Sequence, residues 1–318
     1  MKKLRFGIIA TGGIAGKFAR TAPLVDEIVL EAVASRAQEK ANVFAQQYNI
    51  PKAYGSYEQL FADPDIDAVY IATPHNFHMQ NCIDAARAGK HILCEKPMGL
   101  NRADNEAVFA EAKKNGVFVM EAMWTRFLPC MVKAREWVQD GKVGDVRFIS
   151  ALFGHDRPFD PQSRLYAPEL AGGALYDLGV YNIEYILDFT KGKKIKESKS
   201  FYVNNEIGTD MAASMLLLFD DGAQAQLFCA FDCATNHASR VYGKQGQIVF
   251  DSFFMPKRVE LYVDGKLSDS FESSFESGFE YEIRHMADCI AQGLLNSPIM
   301  PPEDTLACAD LFEQAFGK

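Results

Sequence analysis

Three short stretches carry side chains whose types and spacing suit chemistry. In Cys94-Glu95-Lys96-Pro97 a lysine follows an apolar run. Partly desolvated, it can hydrogen-bond a substrate oxygen or acidify a neighbouring group. In Gly172-Gly173-Ala174-Leu175-Tyr176-Asp177-Leu178-Gly179-Val180-Tyr181, helical spacing puts Asp177 and Tyr181 one turn apart on one face. Glu184 and Asp188 continue that row. A polar row is ordinarily the solvated side of a helix, and that is the expectation for Glu184 and Asp188. Asp177 and Tyr181 lie nearer the glycine-rich entry, where acid-base work is the alternative to a solvated face. The third stretch is Ala72-Thr73-Pro74-His75-Asn76-Phe77-His78, with Cys82 beyond it. His75, His78 and Cys82 share one helical face, but one face of one helix does not complete a coordination shell, so no metal is expected. Hydrogen bonds to a ligand, or plain packing and capping, are the two readings left for the histidines.

A fourth stretch concerns binding. Gly7-Ile8-Ile9-Ala10-Thr11-Gly12-Gly13-Ile14-Ala15 closes a strand and opens a helix. There Gly12 lets the backbone approach a pyrophosphate, the helix start supplies amide donors through Thr11, Gly12, Gly13 and Ile14, and small Ala15 allows close packing of helix on strand. The first glycine of the dinucleotide fingerprint is replaced by Ala10. The next predicted strand ends about twenty residues on, at the usual distance, in Ser35-Arg36 rather than the acidic residue that holds a ribose 2′-hydroxyl. A guanidinium there suits a 2′-phosphate, with Lys40 adding a second positive charge. NADP is therefore expected in preference to NAD, which stays open as a second cofactor. Solvated surface charge is the alternative reading of Arg36 and Lys40.

The elements needed to place these residues are legible in outline. Strands are predicted at Leu4 to Ala10, Ile28 to Ser35, Ala68 to Ala72, His91 to Cys94 and Val117 to Met120. Helices are predicted at Gln38 to Tyr48, His78 to Ala88 and Ala103 to Asn115. This alternation is that of a doubly wound parallel sheet, with Lys96 and the Thr73-Pro74-His75 turn at its carboxyl edge, where ligands bind in such folds. After Trp124 the pattern changes to a helix at Pro129 to Asp140, a strand at Val146 to Phe153 and a helix from Gly173 to Phe189. Strands then run to Phe271, turning at Asp220-Asp221-Gly222 and Asp264-Gly265. The tail returns to helix at Gly278 to Gly293 and Pro302 to Phe316.

The fold class expected is thus α/β: an N-terminal Rossmann domain over residues 1–121, then an α+β domain over 122–318 with a large open, mostly antiparallel sheet. The second domain is read as substrate-binding and oligomerising, with the C-terminal helix packing back on the first.

Composition bounds the partners. The 318 residues are 48% hydrophobic and 24% charged, with a net charge of −9, which gives no attraction to nucleic acid or an anionic membrane. The seven scattered cysteines lack paired spacing and read as reduced thiols of a cytoplasmic protein. The basic start Met1-Lys2-Lys3 mimics a signal peptide, but Arg5 and Lys17 interrupt the apolar run, so it is read as mature sequence.

Taken together, Gly7 to Ala15, Ala72 to His78, Glu95-Lys96-Pro97 and Gly172 to Tyr181 resemble the Gfo/Idh/MocA oxidoreductase family over essentially the whole chain. Met120-Glu121-Ala122-Met123-Trp124-Thr125-Arg126-Phe127-Leu128-Pro129, with tyrosine at 181, is most similar to its dimeric dihydrodiol dehydrogenase and NADP-dependent D-xylose dehydrogenase branch. The resemblance implies that Lys96 is the catalytic lysine and Asp177 a pocket aspartate. It also implies that Glu95, Trp124 and Arg126 line the cofactor and substrate cleft, and that the open sheet forms a homodimer contact. Many members have histidine where this chain has Tyr181; in the dihydrodiol branch the tyrosine is the proposed acid/base.

The expected reaction is hydride transfer between NADP(H) and a carbinol or carbonyl carbon of a small molecule: a sugar, a cyclic trans-diol or a dicarbonyl. Its pocket would include Trp124, Phe127, Phe153, Asp177 and Tyr181, with loops between Gly154 and Leu170 contributing. A free tyrosine has a pKa of about 10, so the Lys96 cation would have to lower it while Asp177 orients the pair. Lys96 as the direct acid/base is the mechanistic alternative. Two other classes stand beside this reading: a non-catalytic NADP-sensing regulator, which usually lacks the lysine, and an NAD-dependent glycoside hydrolase on the same fold.

Overall fold

The computed structural model describes residues 3–317; Met1 and Lys2, which begin the basic start, lie outside the described residues, as does Lys318. The chain forms two compact units, Met1–Trp124 with Ser277–Leu306, and Thr125–Glu276 with Ala307–Lys318.

The first unit is built on six strands: β1 Leu4–Ile9, β2 Ile28–Ala34, β3 Lys52–Tyr54, β4 Ala68–Ile71, β5 His91–Glu95 and β6 Val119–Ala122. They pair in the order β3-β2-β1-β4-β5-β6, and every pair is parallel. This is the doubly wound order of a Rossmann sheet. Strands covered on both faces must be apolar throughout, and β4 and β6 are buried at every residue. Helices α1 Gly13–Thr21, α2 Gln38–Tyr48, α3 Tyr57–Phe61, α4 His78–Arg87 and α5 Arg102–Asn115 connect the strands.

Register decides where the loops open. Ile9 pairs with Ala34 on one side and Ile71 on the other, and Ile71 with Cys94. Strands β1, β2 and β4 therefore end level, with Ala10, Ser35 and Ala72 leaving the sheet along one edge, and β5 runs one residue further, Glu95 pairing with Ala122, so that Lys96 leaves at the same edge. The late segment of this unit contributes α8, Phe279–Ala291, and the start of α9, Pro302–Phe316.

The second unit holds α6 Pro129–Gln139, α7 Val180–Phe189 and eight strands: β7 Val146–Gly154, β8 Ile195–Asn204, β9 Asp210–Phe219, β10 Gln224–Ala230, β11 Ser239–Gly243, β12 Gly246–Phe250, β13 Arg258–Val263 and β14 Lys266–Glu272. They form one sheet, β14-β13-β12-β11-β7-β10-β9-β8, antiparallel except where β10 meets β7. The turns at Asp220-Asp221-Gly222 and Asp264-Gly265 fall between β9 and β10 and between β13 and β14, where hairpins were expected. In β9, buried Ala213, Met215, Leu217 and Phe219 alternate with exposed Ser214 and Leu216, so one face is packed and the other open. Helix α7 is buried at all ten residues, and Asn182 Nδ2 donates to the Ala151 carbonyl of β7 at 3.0 Å. Among the described residues no helix is long and apolar enough to cross a membrane.

Candidate active site

In the first unit the glycine loop follows β1 directly. Ala10 sits at φ +88°, the left-handed conformation that explains why glycine is favoured at that position of the fingerprint. Gly12 is the N-cap of α1 and makes no side-chain cap bond; the first turn holds no acidic residue, and a Cβ built on Gly12 or Gly13 would meet nothing within 4 Å. The helix start thus has amides without a side-chain acceptor and room beside them, which fits a dinucleotide pyrophosphate. Ser35 is buried, whereas Arg36 and Lys40 are exposed, with the Arg36 guanidinium 5.7 Å from the centre of the Phe77 ring.

His78 has a structural role. His78 is fully buried, with Nδ1 2.8 Å from the Pro97 carbonyl and Nε2 2.7 Å from the Thr73 carbonyl. Both ring nitrogens face oxygens, so His78 is a strut tying the Thr73-Pro74 turn to the Lys96-Pro97 turn, and it presents neither nitrogen to a ligand. Asn81 reinforces the strut by donating to Thr73 Oγ1 at 3.2 Å. His75 is also buried and stands edge-on to His78 at 5.8 Å. Cys82 is buried beside Cys94. Among the described residues no group of three or more His, Cys, Asp or Glu could hold a metal ion.

Lys96 is nearly buried. Its neighbour Glu95 accepts from the Tyr70 hydroxyl through Oε1 and from the Lys96 amide through Oε2 at 3.3 Å, and Phe18 of α1 stacks on Tyr70 at 4.1 Å. Glu121 accepts from the Met98 amide at 2.9 Å and from Thr305 Oγ1 at 2.8 Å, which fixes the backbone after Pro97. Burial pushes the Glu95 carboxyl up.

Trp124 is buried against Phe279, 5.4 Å between rings, and the Lys17 ammonium lies 4.4 Å and 4.0 Å from the two ring centres. Burial pulls the Lys17 ammonium down and pushes Glu282, whose carboxyl oxygens have no hydrogen-bond partner, well up. Sequence reasoning missed Tyr70, Glu121, Glu282 and Phe279. A lysine inside the first turns of the glycine-loop helix was the one available signal for this cluster.

In the second unit the helix predicted from Gly173 opens with a π-helical turn, Leu175–Gly179, and continues as α7. Such turns recur at functional sites. Asp177 lies within it, nearly buried, 3.8 Å from the Arg164 guanidinium. Tyr181 packs edge-on against Phe153 at 5.7 Å and Phe254 at 4.9 Å. Phe153, only 1% exposed, also touches His155 and His237, whose rings are 4.9 Å apart. Burial, Arg157 and His237 together hold the His155 imidazole below its usual range.

Two expectations are corrected here. Glu184 and Asp188 are not on a solvated face: both are buried, Glu184 Oε2 accepting from Arg126 Nη2 at 2.6 Å and Asp188 Oδ2 from Arg135 Nη1 at 2.6 Å. A charge buried on a helix surrounded by protein requires a partner, and these arginines supply it. Arg126 is correspondingly only 1% exposed, its Nη2 also donating to the Glu184 carbonyl at 2.8 Å. It braces α7 instead of lining a cleft.

Residues 4–123 match the family described as an oxidoreductase family with an NAD-binding Rossmann fold, and residues 131–249 match the GFO/IDH/MocA C-terminal domain. Trans-1,2-dihydrobenzene-1,2-diol dehydrogenases are similar over almost the full length. The Xenopus laevis protein is 36% identical, covering 98% of this chain and 97% of its own, and the Mus musculus protein is 34% identical, covering 98% and 96%. Among solved structures, the aldose-aldose oxidoreductase of Caulobacter crescentus, complexed with glycerol, superposes with a TM-score of 0.89 at 26% identity over 99% of this chain and 97% of that one. KijD10, a 3-ketoreductase from Actinomadura kijaniata in complex with NADP and TDP-benzene, gives 0.86 at 25% identity over 99% and 98%. With a parallel six-stranded sheet that ends in a glycine loop and an eight-stranded, mostly antiparallel second sheet, the chain belongs to the Gfo/Idh/MocA family and is an NAD(P)-binding oxidoreductase acting on CH–OH groups.

Proposed function

We propose that the protein transfers hydride reversibly between NADP(H) and a carbinol or carbonyl carbon of a sugar, cyclic trans-diol or dicarbonyl. The observation that carries this reading is Lys96, nearly buried at the carboxyl edge of the parallel sheet, on a turn held by the His78 strut and the Glu121 bonds. A lysine braced in this way keeps its stem in one place, as a group that must meet one substrate oxygen requires. The diol and sugar classes are supported by the relatives, whose names include a diol dehydrogenase, an aldose oxidoreductase and a 3-ketoreductase.

The uncapped start of α1 would hold the pyrophosphate, and Ser35, Arg36 and Lys40 the 2′-phosphate. When bound, the nicotinamide supplies the hydride or accepts it. The residues of this chain do the rest: Lys96 holds the substrate oxygen, Tyr181 exchanges its proton, and Asp177 orients the hydroxyl. Phe153 and Phe254 exclude water from the Tyr181 ring. The first unit serves as the cofactor domain and the second as the substrate domain, in the cytoplasm.

A homodimer through the second sheet is part of the same reading. Its open face carries Phe201, Val203 and Leu216, exposed by 77%, 64% and 58%, an apolar patch of the kind that marks a protein contact.

The test is a spectrophotometric screen of NADP and NAD against aldoses, trans-diols and 2-oxoaldehydes. Turnover with NADP in clear preference to NAD is expected; equal efficiency with NAD would remove the Arg36 assignment. Lys96→Met should lower kcat by at least a thousandfold, and near-normal turnover of Tyr181→Phe would move the proton to Lys96. Sedimentation of Leu216→Lys checks the dimer, which should dissociate.

A further inference from the structure

Asp210 opens β9, is only 2% exposed, and lies 35 residues along the chain from the turn it touches. Its Oδ2 accepts from the Leu175 amide at 2.6 Å, and the Ala174 amide also donates to this carboxylate. These are the first amides of the helix that carries Asp177 and Tyr181. The fit is tight: a Cβ built on Gly173, which sits at φ +126°, would stand 2.0 Å from Asp210 Oδ1. No other residue type leaves the carboxylate that place. Behind it Thr209 Oγ1 donates to the Tyr166 carbonyl at 2.9 Å, anchoring the start of β9 to the loop that precedes the helix. The turn then closes on itself, the Asp177 amide donating to the Gly173 carbonyl at 3.1 Å.

We propose that Asp210 is a positioning residue for the reaction: its carboxyl group holds the amides that begin the π-helical turn, fixing Asp177 and Tyr181. This rests on the roles given above to Asp177 and Tyr181. A carboxylate accepts strongly from two amides at a helix start, where the helix dipole also favours negative charge. Burial outweighs the amide bonds and lifts the Asp210 carboxyl to about 6, so the closed turn holds the proton more tightly than a solvated carboxyl would, and acid does not open it. The titratable groups around it are the buried Cys229 thiol of β10, Asp177 on the turn itself, and His155 at the end of β7, which feels the Asp177 charge.

The experiment compares wild type, Asp210→Ala and Asp210→Asn, measuring kcat, KM and NADPH affinity, with amide hydrogen exchange of residues 173–181 corrected for intrinsic rate. Asp210→Ala should have kcat reduced at least tenfold, with KM and NADPH affinity unchanged and low protection of residues 173–181. Asp210→Asn, which keeps an acceptor oxygen, should restore most of both kcat and protection. Unchanged kcat in Asp210→Ala would overturn the proposal. So would equal protection of 173–181 in wild type and Asp210→Ala, a readout that needs no turnover. Absence of turnover in wild type with protection lost in Asp210→Ala would overturn the assigned reaction and leave the positioning contact supported.

Discussion

Two helix starts in this molecule use the same electrostatics for opposite ends. At α1 the amides follow Gly12, with no side-chain acceptor and no acidic residue in the first turn. At the turn before α7 the amides of Ala174 and Leu175 are filled by a carboxylate from β9, and the glycine there, Gly173, makes room for that protein group. The positive end of a helix attracts an anion in either case. Whether the anion arrives from solution or from the chain decides if the helix start binds a ligand or stiffens a set of reacting side chains.

The contrast can be broken most directly by giving α1 an anion of its own. Gly12→Asp places a carboxylate at the N-cap, and NADPH affinity should fall by a hundredfold or more, about 3 kcal/mol. The protein without cofactor should gain up to about 1 kcal/mol from the new cap. Fluorescence titration with NADPH reads the first effect and thermal melting the second; affinity within threefold of wild type would mean that these amides do not hold the pyrophosphate.

The opposite start should show its anion in the pH dependence of stability. Asp210 has a folded-state pKa raised from 3.8 to about 6, so the folded chain keeps a proton that the unfolded chain has shed. Its contribution therefore favours folding below about pH 4 and is lost as pH rises to about 6, a change of about 3 kcal/mol. In Asp210→Asn this component of the stability–pH curve should be missing, and at pH 8 the variant should melt no lower than wild type. A variant that melts far below wild type at pH 8 would show that the carboxylate stabilises the fold after all.

Smaller effects sharpen the ligand side. Arg36→Ala should raise KM for NADP by tenfold to a hundredfold, about 1.4 to 2.8 kcal/mol, and leave KM for NAD within a factor of three. Loss of both in parallel would mean that Arg36 serves the dinucleotide generally. Ala10→Gly should relieve a left-handed residue and stabilise the protein by about 1 kcal/mol, seen as a melting point higher by about 3 °C. An unchanged or lower melting point would show that the loop already accommodates the methyl group.

The glycine loop and the start of α1 were legible because everything they need is local: a strand, two glycines and a helix within a dozen residues. Lys96 was placed at the correct edge for the same reason, since strand ends in a parallel sheet are marked by apolar runs. The Asp210 contact was invisible because nothing in a β-strand's first residue announces which helix it will meet. Glu184 and Asp188 looked solvated since helical spacing reports a shared face and not what covers it; their partners Arg126 and Arg135 are 58 and 53 residues away. Strand β3 escaped notice because three residues, Lys52 to Tyr54, are too few to show alternation. The π-helical turn was also beyond reach, as one added residue per turn leaves no compositional mark.

The route of the chain has a consequence for how the protein is made. The first unit is left at Trp124 and resumed only at Ser277, and what returns includes Phe279 against Trp124, the Leu295 carbonyl that accepts from the Val119 amide of β6, and the Thr305 hydroxyl on Glu121. On a ribosome adding about 5–20 residues per second, the nascent Rossmann sheet waits on the order of 10–30 s for these groups. Until then one border of that sheet, the brace behind the Lys96 turn and the aromatic cover of Trp124 are all missing. Early release of the chain would strand a half-finished cofactor domain with apolar surface showing, the form a chaperone or protease would meet first.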